Sequence, residues 1–259
     1  PLDPLYGYMM HVDHHSLGFE PGNAQKIYSF NDGGIYVSPD SGANWYEKNT
    51  SLCTYQLYTV ASALTDPDLV IAGPQDRPLS STDLASGTNQ WQLNQSFSDV
   101  YQTIIDYTNA NVWYATSIFI HRAKTIDGGV NYTFINNGIT ETNMRINDPL
   151  IMHPTNPQIL FTSSNLKIYK TVNGGSLWSP VSNTPDITMF AIDKINPNIV
   201  YAANEWTYTN TTSKVYRSTD GGTNWAQVNS PGNIITDIEP DPNVQGVLYA
   251  TRSTYFAGQ

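Results

Sequence analysis

Only one cysteine, Cys53, occurs in 259 residues, so no disulfide can form within the chain and its stability has to come from packing. Cations are scarce too. Twelve Lys and Arg against 22 Asp and Glu leave a formal charge of −10. A surface that tracks phosphates needs clustered Lys and Arg, so no nucleic-acid partner is expected. No apolar run approaches the 18 or so residues of a membrane span, and none is expected. The first residues lack a basic-then-apolar signal, and the chain begins in mid-pattern, as a mature or cut fragment would. What is present is aromatic and uncharged. There are 17 Tyr and 6 Trp, 39% of residues are apolar, and only 13% are charged. That suffices for a core of domain size. It leaves a surface rich in Asn, Thr, Ser and Gln, as in many secreted β-proteins. Four Asn-X-Ser/Thr triplets, at Asn49, Asn94, Asn131 and Asn210, arise readily by chance in such a composition.

The dominant feature is an internal repeat. Ser38-Pro-Asp40-Ser-Gly42-Ala-Asn-Trp45, Thr125-Ile-Asp127-Gly-Gly129-Val-Asn-Tyr132, Thr171-Val-Asn173-Gly-Gly175-Ser-Leu-Trp178 and Ser218-Thr-Asp220-Gly-Gly222-Thr-Asn-Trp225 share one template. It reads Ser/Thr-x-Asp/Asn-x-Gly-x-x-aromatic. A fifth copy runs from Ser81 and Asp83 to Trp91, with three extra residues before the aromatic. The aromatics are spaced by 46, 41, 46 and 47 residues, a period of propeller or solenoid size. Asp and Ser/Thr side chains bond to backbone N–H groups in tight turns, and Gly supplies a positive φ there. Each copy follows a pair of β-rich runs, such as Ile199-Val-Tyr-Ala202 and Lys214-Val-Tyr-Arg217. A further strand, closed by a turn such as Asp66-Pro67 or Asn196-Pro197, precedes each pair. The unit is a four-stranded meander. The chain therefore reads as one all-β propeller domain over 1–259, with blades at about 12–52, 54–97, 99–138, 144–183 and 186–230. A partial sixth follows at 232–259, so the propeller is expected to be incomplete.

The template resembles the Asp box, or bacterial neuraminidase repeat, of sialidases, sortilin-type propellers, xyloglucanases and photosystem assembly factors. That resemblance assigns structural roles to Asp40 and Trp45, Asp83 and Trp91, Asp127 and Tyr132, Asn173 and Trp178, and Asp220 and Trp225. It implies no activity by itself. Val12-Asp13-His14-His15-Ser16-Leu17, Asn31-Asp32-Gly33-Gly34-Ile35-Tyr36 and Gly73-Pro74-Gln75-Asp76 are similar to stretches of secreted Bacteroidetes propellers that carry a type IX secretion sorting domain. This chain departs from them at Arg77-Pro78, where Asn-Gly is usual. The resemblance implies a secreted or cell-surface protein.

A sialidase needs an arginine triad, a Tyr–Glu nucleophile pair and an acid Asp. Arg77, Arg122, Arg145, Arg217 and Arg252 do not assemble into that pattern, and Arg217, matched in other blades by Val37, Lys124 and Lys170, reads as an exposed strand residue. A xyloglucanase-type inverting glycoside hydrolase needs two carboxylates, and the candidates are Asp32 and Asp76. The alternative is that both cap turns, and adjacent blades suit a facing pair poorly. His11, Asp13, His14 and His15 carry metal-ligand chemistry, but neighbours in a strand point to opposite faces. No metal and no cofactor is expected, and Cys53 reads as packing. The aromatics of the repeat pack between strands. Outside the repeat, Trp113, Trp206 and Tyr208 are the candidates for ligand contact, the last two in an inter-strand insertion at 204–213. The expected function is a binding or structural interaction module for a polysaccharide or a cell-surface protein. Glycoside hydrolysis of a β-glucan is the alternative.

Overall fold

The computed structural model describes residues 10, 13–49, 56–82, 91–118, 121–141, 148–204, 213–228 and 234–253. These form five four-stranded antiparallel sheets and one two-stranded sheet, each a meander in chain order. Blade 1 holds β1 (His14–Glu20), β2 (Asn23–Asn31), β3 (Gly34–Ser38) and β4 (Tyr46–Glu47). Blade 2 holds β5 (Leu57–Ser62), β6 (Val70–Pro74), β7 (Pro78–Thr82) and β8 (Trp91–Ser98). Blade 3 holds β9 (Val100–Ile105), β10 (Trp113–Ser117), β11 (His121–Thr125) and β12 (Thr133–Phe134). Blade 4 holds β13 (Leu150–Met152), β14 (Leu160–Ser163), β15 (Ile168–Thr171) and β16 (Ser179–Ser182). Blade 5 holds β17 (Met189–Ile192), β18 (Val200–Ala203), β19 (Val215–Ser218) and β20 (Ala226–Val228). The sixth sheet pairs β21 (Ile234–Pro240) with β22 (Leu248–Ser253). This is an all-β propeller of four-stranded blades.

Turns between the first and second strands of a blade are closed by side chains. The Oδ1 of Asp66, Asn109, Asn156, Asn196 and Asp241 each accepts the N–H two residues on, at 2.8 to 3.2 Å. An Asp or Asn side chain thereby replaces a backbone turn.

The repeated turn between third and fourth strands has one hydrogen-bond set. Ser38 Oγ accepts from the Gly42 N–H at 2.8 Å and donates to Asp40 Oδ1 at 2.8 Å. Asp40 then accepts from the Asn44 N–H at 2.8 Å and the Asn44 side-chain amide at 2.6 Å. Thr125, Asp127, Gly129 and Asn131 repeat it, as do Ser218, Asp220, Gly222 and Asn224. In blade 4 the uncharged Asn173 takes the acid's place and accepts the Leu177 N–H at 3.0 Å. Asp83 lies outside the described residues. The aromatics pin the turns differently: Trp45 and Trp225 donate to the Gly42 and Gly222 carbonyls, whereas Trp178 reaches across to the Ile135 carbonyl of blade 3 at 2.6 Å. Gly175 and Gly222 both have φ of 86°, and a Cβ would stand 2.6 Å from Ile135 Cδ1 or 2.3 Å from Phe161 Cε1 of the preceding blade. Only glycine fits there.

The buried apolar residues lie between blades. One cluster joins Ile71 and Leu79 of blade 2 to Val100 and Trp113 of blade 3. Tyr114, the next residue, packs instead with Leu160, Tyr169 and Trp178 of blade 4. Phe161 and Ile168 meet Val200 of blade 5, and Tyr201 and Val215 meet Ile235 and Ile238 of the sixth sheet. Alternation along each strand thus feeds two cores.

Cations tie the same seams. Lys124 Nζ donates to the Gly174 carbonyl of blade 4 at 3.1 Å, and Lys170 Nζ to the Gly221 carbonyl of blade 5 at 2.7 Å. Arg217 is not a fully exposed strand residue: it is half-buried with its guanidinium over the Tyr201 ring at 5.9 Å. Arg122, only 2% exposed, pairs with the buried Asp148 at 3.1 Å, donates from Nε to Thr162 Oγ1 at 2.6 Å, and donates from Nη2 to the Ser163 carbonyl. Burial lowers its pKa and the Asp148 charge opposes that shift.

Two outcomes follow from this architecture. Removing one partner strands a buried charge, so Arg122→Ala should cost about 3–5 kcal/mol, whereas Arg122→Met with Asp148→Leu should cost much less. Urea unfolding of both variants measures the difference. The backbone N–H and side-chain amide of Asn131, then Thr125, hold the Asp127 carboxyl down to about 2, and Asp40 and Asp220 are lowered by the same kinds of bond. A depressed folded-state pKa gives stability that is complete above about pH 4 and lost as pH falls through the folded value. Changing Asp40, Asp127 and Asp220 together to Asn, the residue already at position 173, should lower the melting temperature at neutral pH. It should also flatten its decline in acid, as circular-dichroism melts at stepped pH would record.

Candidate functional site

The starts of the first strands and the turns between second and third strands lie at the blade ends opposite the repeated turns. Four aspartates collect at that end of blades 1 to 3. Asp13 immediately precedes β1, Asp32 sits in the β2–β3 turn, Asp76 in the β6–β7 turn, and Asp99 immediately precedes β9. Asp13, Asp76 and Asp99 have φ of 57°, 52° and 52°, a left-handed conformation that Asp tolerates better than most residues.

One carboxylate oxygen each from Asp13, Asp32 and Asp76 lies within 4.8 Å of the others. Asp99 Oδ1 accepts the Asp76 N–H at 3.1 Å. Asp32 Oδ1 pairs with His15 Nε2. The β2–β3 turn is capped by other residues: Asn31 Oδ1 accepts the Gly33 N–H at 3.0 Å and Asn49 Oδ1 accepts the Ile35 N–H at 2.7 Å. The Asp32 side chain is therefore directed to the cluster, not spent on the turn. Arg77, where this chain departs from the similar propellers, donates to the Gly33 carbonyl of blade 1 at 3.3 Å. It bridges the same seam as the carboxylates.

Beside the carboxylates, Tyr58 and Tyr101 stack with ring centroids 4.5 Å apart and 29° between their planes. Burial raises the pKa of both phenols, and the charges of Asp99 and Asp76 push in the same direction. Both hydroxyls stay protonated and can donate at neutral pH. Chemically, the site offers several oxygen acceptors, two phenols and a partly exposed aromatic stack. Three carboxylate oxygens are also the donor type that a hard divalent cation takes.

The two carboxylate candidates read from the sequence are brought together here, although they belong to adjacent blades. The histidines diverge, as strand alternation requires: His14 Nδ1 meets Ser29 Oγ at 2.8 Å, while His15 turns to Asp32. Trp113 is corrected. It is 2% exposed in the core between blades 2 and 3 and donates to the Ala110 carbonyl, so it presents no face to a ligand. Trp206, Tyr208, His11 and Cys53 lie outside the described residues. Sequence reasoning did not join Asp13 and Asp99 to the site, nor Tyr58 and Tyr101. The available signal was an acid directly before a first strand, in register with the turn acids of the neighbouring blades.

No protein-family model and no curated protein matches the chain. Solved structures do. An ancestral GH74 enzyme superposes with a TM-score of 0.62 over 93% of this chain, at 19% identity. The GH74 enzyme of Niastella koreensis gives 0.55 over 83%, at 18% identity. This chain spans 34% and 38% of those two chains. YCF48 bound to D1 peptide gives 0.51, at 13% identity, over 89% of this chain and 73% of its own. At these identities the likeness is one of fold, and the fold these proteins share with this chain is the β-propeller.

Proposed function

We propose that the chain is a secreted or cell-surface binding module whose ligand contacts the Asp13–Asp32–Asp76 cluster and the adjoining Tyr58–Tyr101 stack. The repeated turns are read as Asp boxes, structural devices on the opposite end of the blades. One observation carries the binding reading: the carboxylates are gathered on one side, with oxygens within 4.8 Å of one another and Asp32 committed to His15. An inverting hydrolase places its two carboxyl groups about 6.5–9.5 Å apart with room for water. Crowded acceptors beside a tyrosine stack suit the hydroxyls of a glycan or the polar face of a protein segment. The peptide in the YCF48 structure supports a protein ligand for a propeller of this kind.

Glycoside hydrolysis is the second reading. It is favoured by the approach of Asp32 to Asp76 and by the GH74 likeness in fold. A glycan array and a reducing-end release assay on β-glucans, run with wild type and Asp32→Ala, separate the two. The binding reading expects retention without release, and retention weakened by roughly tenfold or more in the variant, about the value of one charge-assisted hydrogen bond. Reducing ends released by wild type and not by Asp32→Ala would replace it with the hydrolase. Export is tested by fractionating the native host, where recovery in the cell interior alone would count against a secreted role.

A further inference from the structure

The repeat shows what one seam is missing. In blades 3 and 4 an aromatic on the second strand stands opposite a lysine on the third: Tyr114 opposite Lys124 and Phe161 opposite Lys170. Each lysine lies over its ring, at 5.1 and 5.5 Å, and donates to the carbonyl of the first glycine in the next blade's turn, Gly174 or Gly221. Gly128 is the corresponding glycine in blade 3. In blade 2 the β6–β7 pairing sets Ser81 opposite Ile71, so Ser81 takes the lysine's place, one residue earlier than the repeat read from the sequence has it. Among the described residues, the seam between blades 2 and 3 therefore keeps the glycine but has no Lys or Arg in the matching place.

A groove of about 550 Å³ opens there, lined by Ser81 and Gly128 together with the carboxyl-bearing Asp66, Asp68 and Asp127, and among the described residues no Lys or Arg lines it. The corresponding groove between blades 3 and 4, about 460 Å³, is lined by Lys124 and Gly174. The two differ in having or lacking their own ammonium group. Beside the acidic groove runs β8, eight residues long, where the outer strands of the other complete blades span two to four. Among the described residues it pairs with β7 alone, and Trp91 and Leu93 on it are half exposed. A long outer edge with apolar side chains is a template for an added strand, and Gln92 and Leu93 of this strand line the groove.

We propose that this seam takes the lysine side chain of an extended partner polypeptide, which adds to the β8 edge and supplies the ammonium that blade 2 lacks. Lysine fits because Lys124 and Lys170 each reach a single turn carbonyl as a compact point charge, while Arg217, in the matching place of blade 5, lays its forked guanidinium over Tyr201. The three aspartates and the net charge of −10 favour a basic segment. This goes beyond the binding function proposed above, and it uses the opposite blade ends, so either can fail alone.

The test is fluorescence anisotropy with a labelled Thr-Val-Lys-Val-Thr peptide, blocked at both ends. Saturable binding is expected, with a norleucine version weaker by about tenfold or more, the value of losing a charge-assisted hydrogen bond. Ser81→Lys places the ammonium in the chain itself, so it should abolish peptide binding and raise the melting temperature. Asp68→Asn, which leaves the seam packing unchanged, should weaken binding severalfold and serves if Ser81→Lys does not fold. Equal affinity for the lysine and norleucine peptides, or undiminished binding to folded Ser81→Lys, would overturn the proposal. Free cadaverine binding as tightly as the peptide would overturn the polypeptide as occupant.

Discussion

Apolar burial in this chain takes place between sheets, and the geometry of the rest follows from that. A single four-stranded meander has two faces and cannot cover either alone, so each blade needs a neighbour on both sides. Trp113 and Tyr114 show it within one strand: consecutive residues serve the cores between blades 2 and 3 and between blades 3 and 4. The repeated turn belongs to the same requirement. Its second glycine, as at Gly222, lets the turn close onto Phe161 of the blade before, so the hairpin is shaped by the neighbour it touches as much as by its own bonds.

Polar contacts follow the seams as well, with different residues at each. Arg122 and Asp148 link blades 3 and 4 through a buried ion pair, and Nε and Nη2 of the guanidinium also donate to Thr162 and Ser163. Lys170 links blades 4 and 5. At the seam between blades 1 and 2, Arg77 reaches Gly33 while Asp32 and Asp76 face one another. A like-charged approach costs energy unless something offsets it. His15 at Asp32, and the backbone N–H of Asp76 held by Asp99, show how the surrounding residues are arranged around these charges.

The architecture was legible because a turn that demands Asp, Gly and an aromatic at fixed offsets prints itself on the sequence each time it recurs. Thr125, Asp127 and Gly129 could be read as a turn before any coordinates. Asp32 and Asp76 were legible as candidates because each follows the second strand of its blade, and the stretch around Asp32 resembles the xyloglucanase one. Their meeting was not, because it depends on how far two blades lean together at one end, which no local pattern encodes. Trp113 was misread because the repeat marks only one aromatic per blade. An aromatic off that period can as readily fill a seam as face solvent, and burial decides which. The role of Lys124 and Lys170 escaped too: a lysine on a strand looks like a solvated residue until its neighbour's turn is in place beneath it.

The shared strands have a bearing on how such a ring can be altered. Because Phe161 meets Gly222 of the following blade while Leu160 meets the blade before, the side chains of blade 4 are fitted to two different partners at once. A blade copied to another position brings the right backbone and the wrong flanks. Duplication can lengthen the ring, but each new copy must then be refitted on both faces.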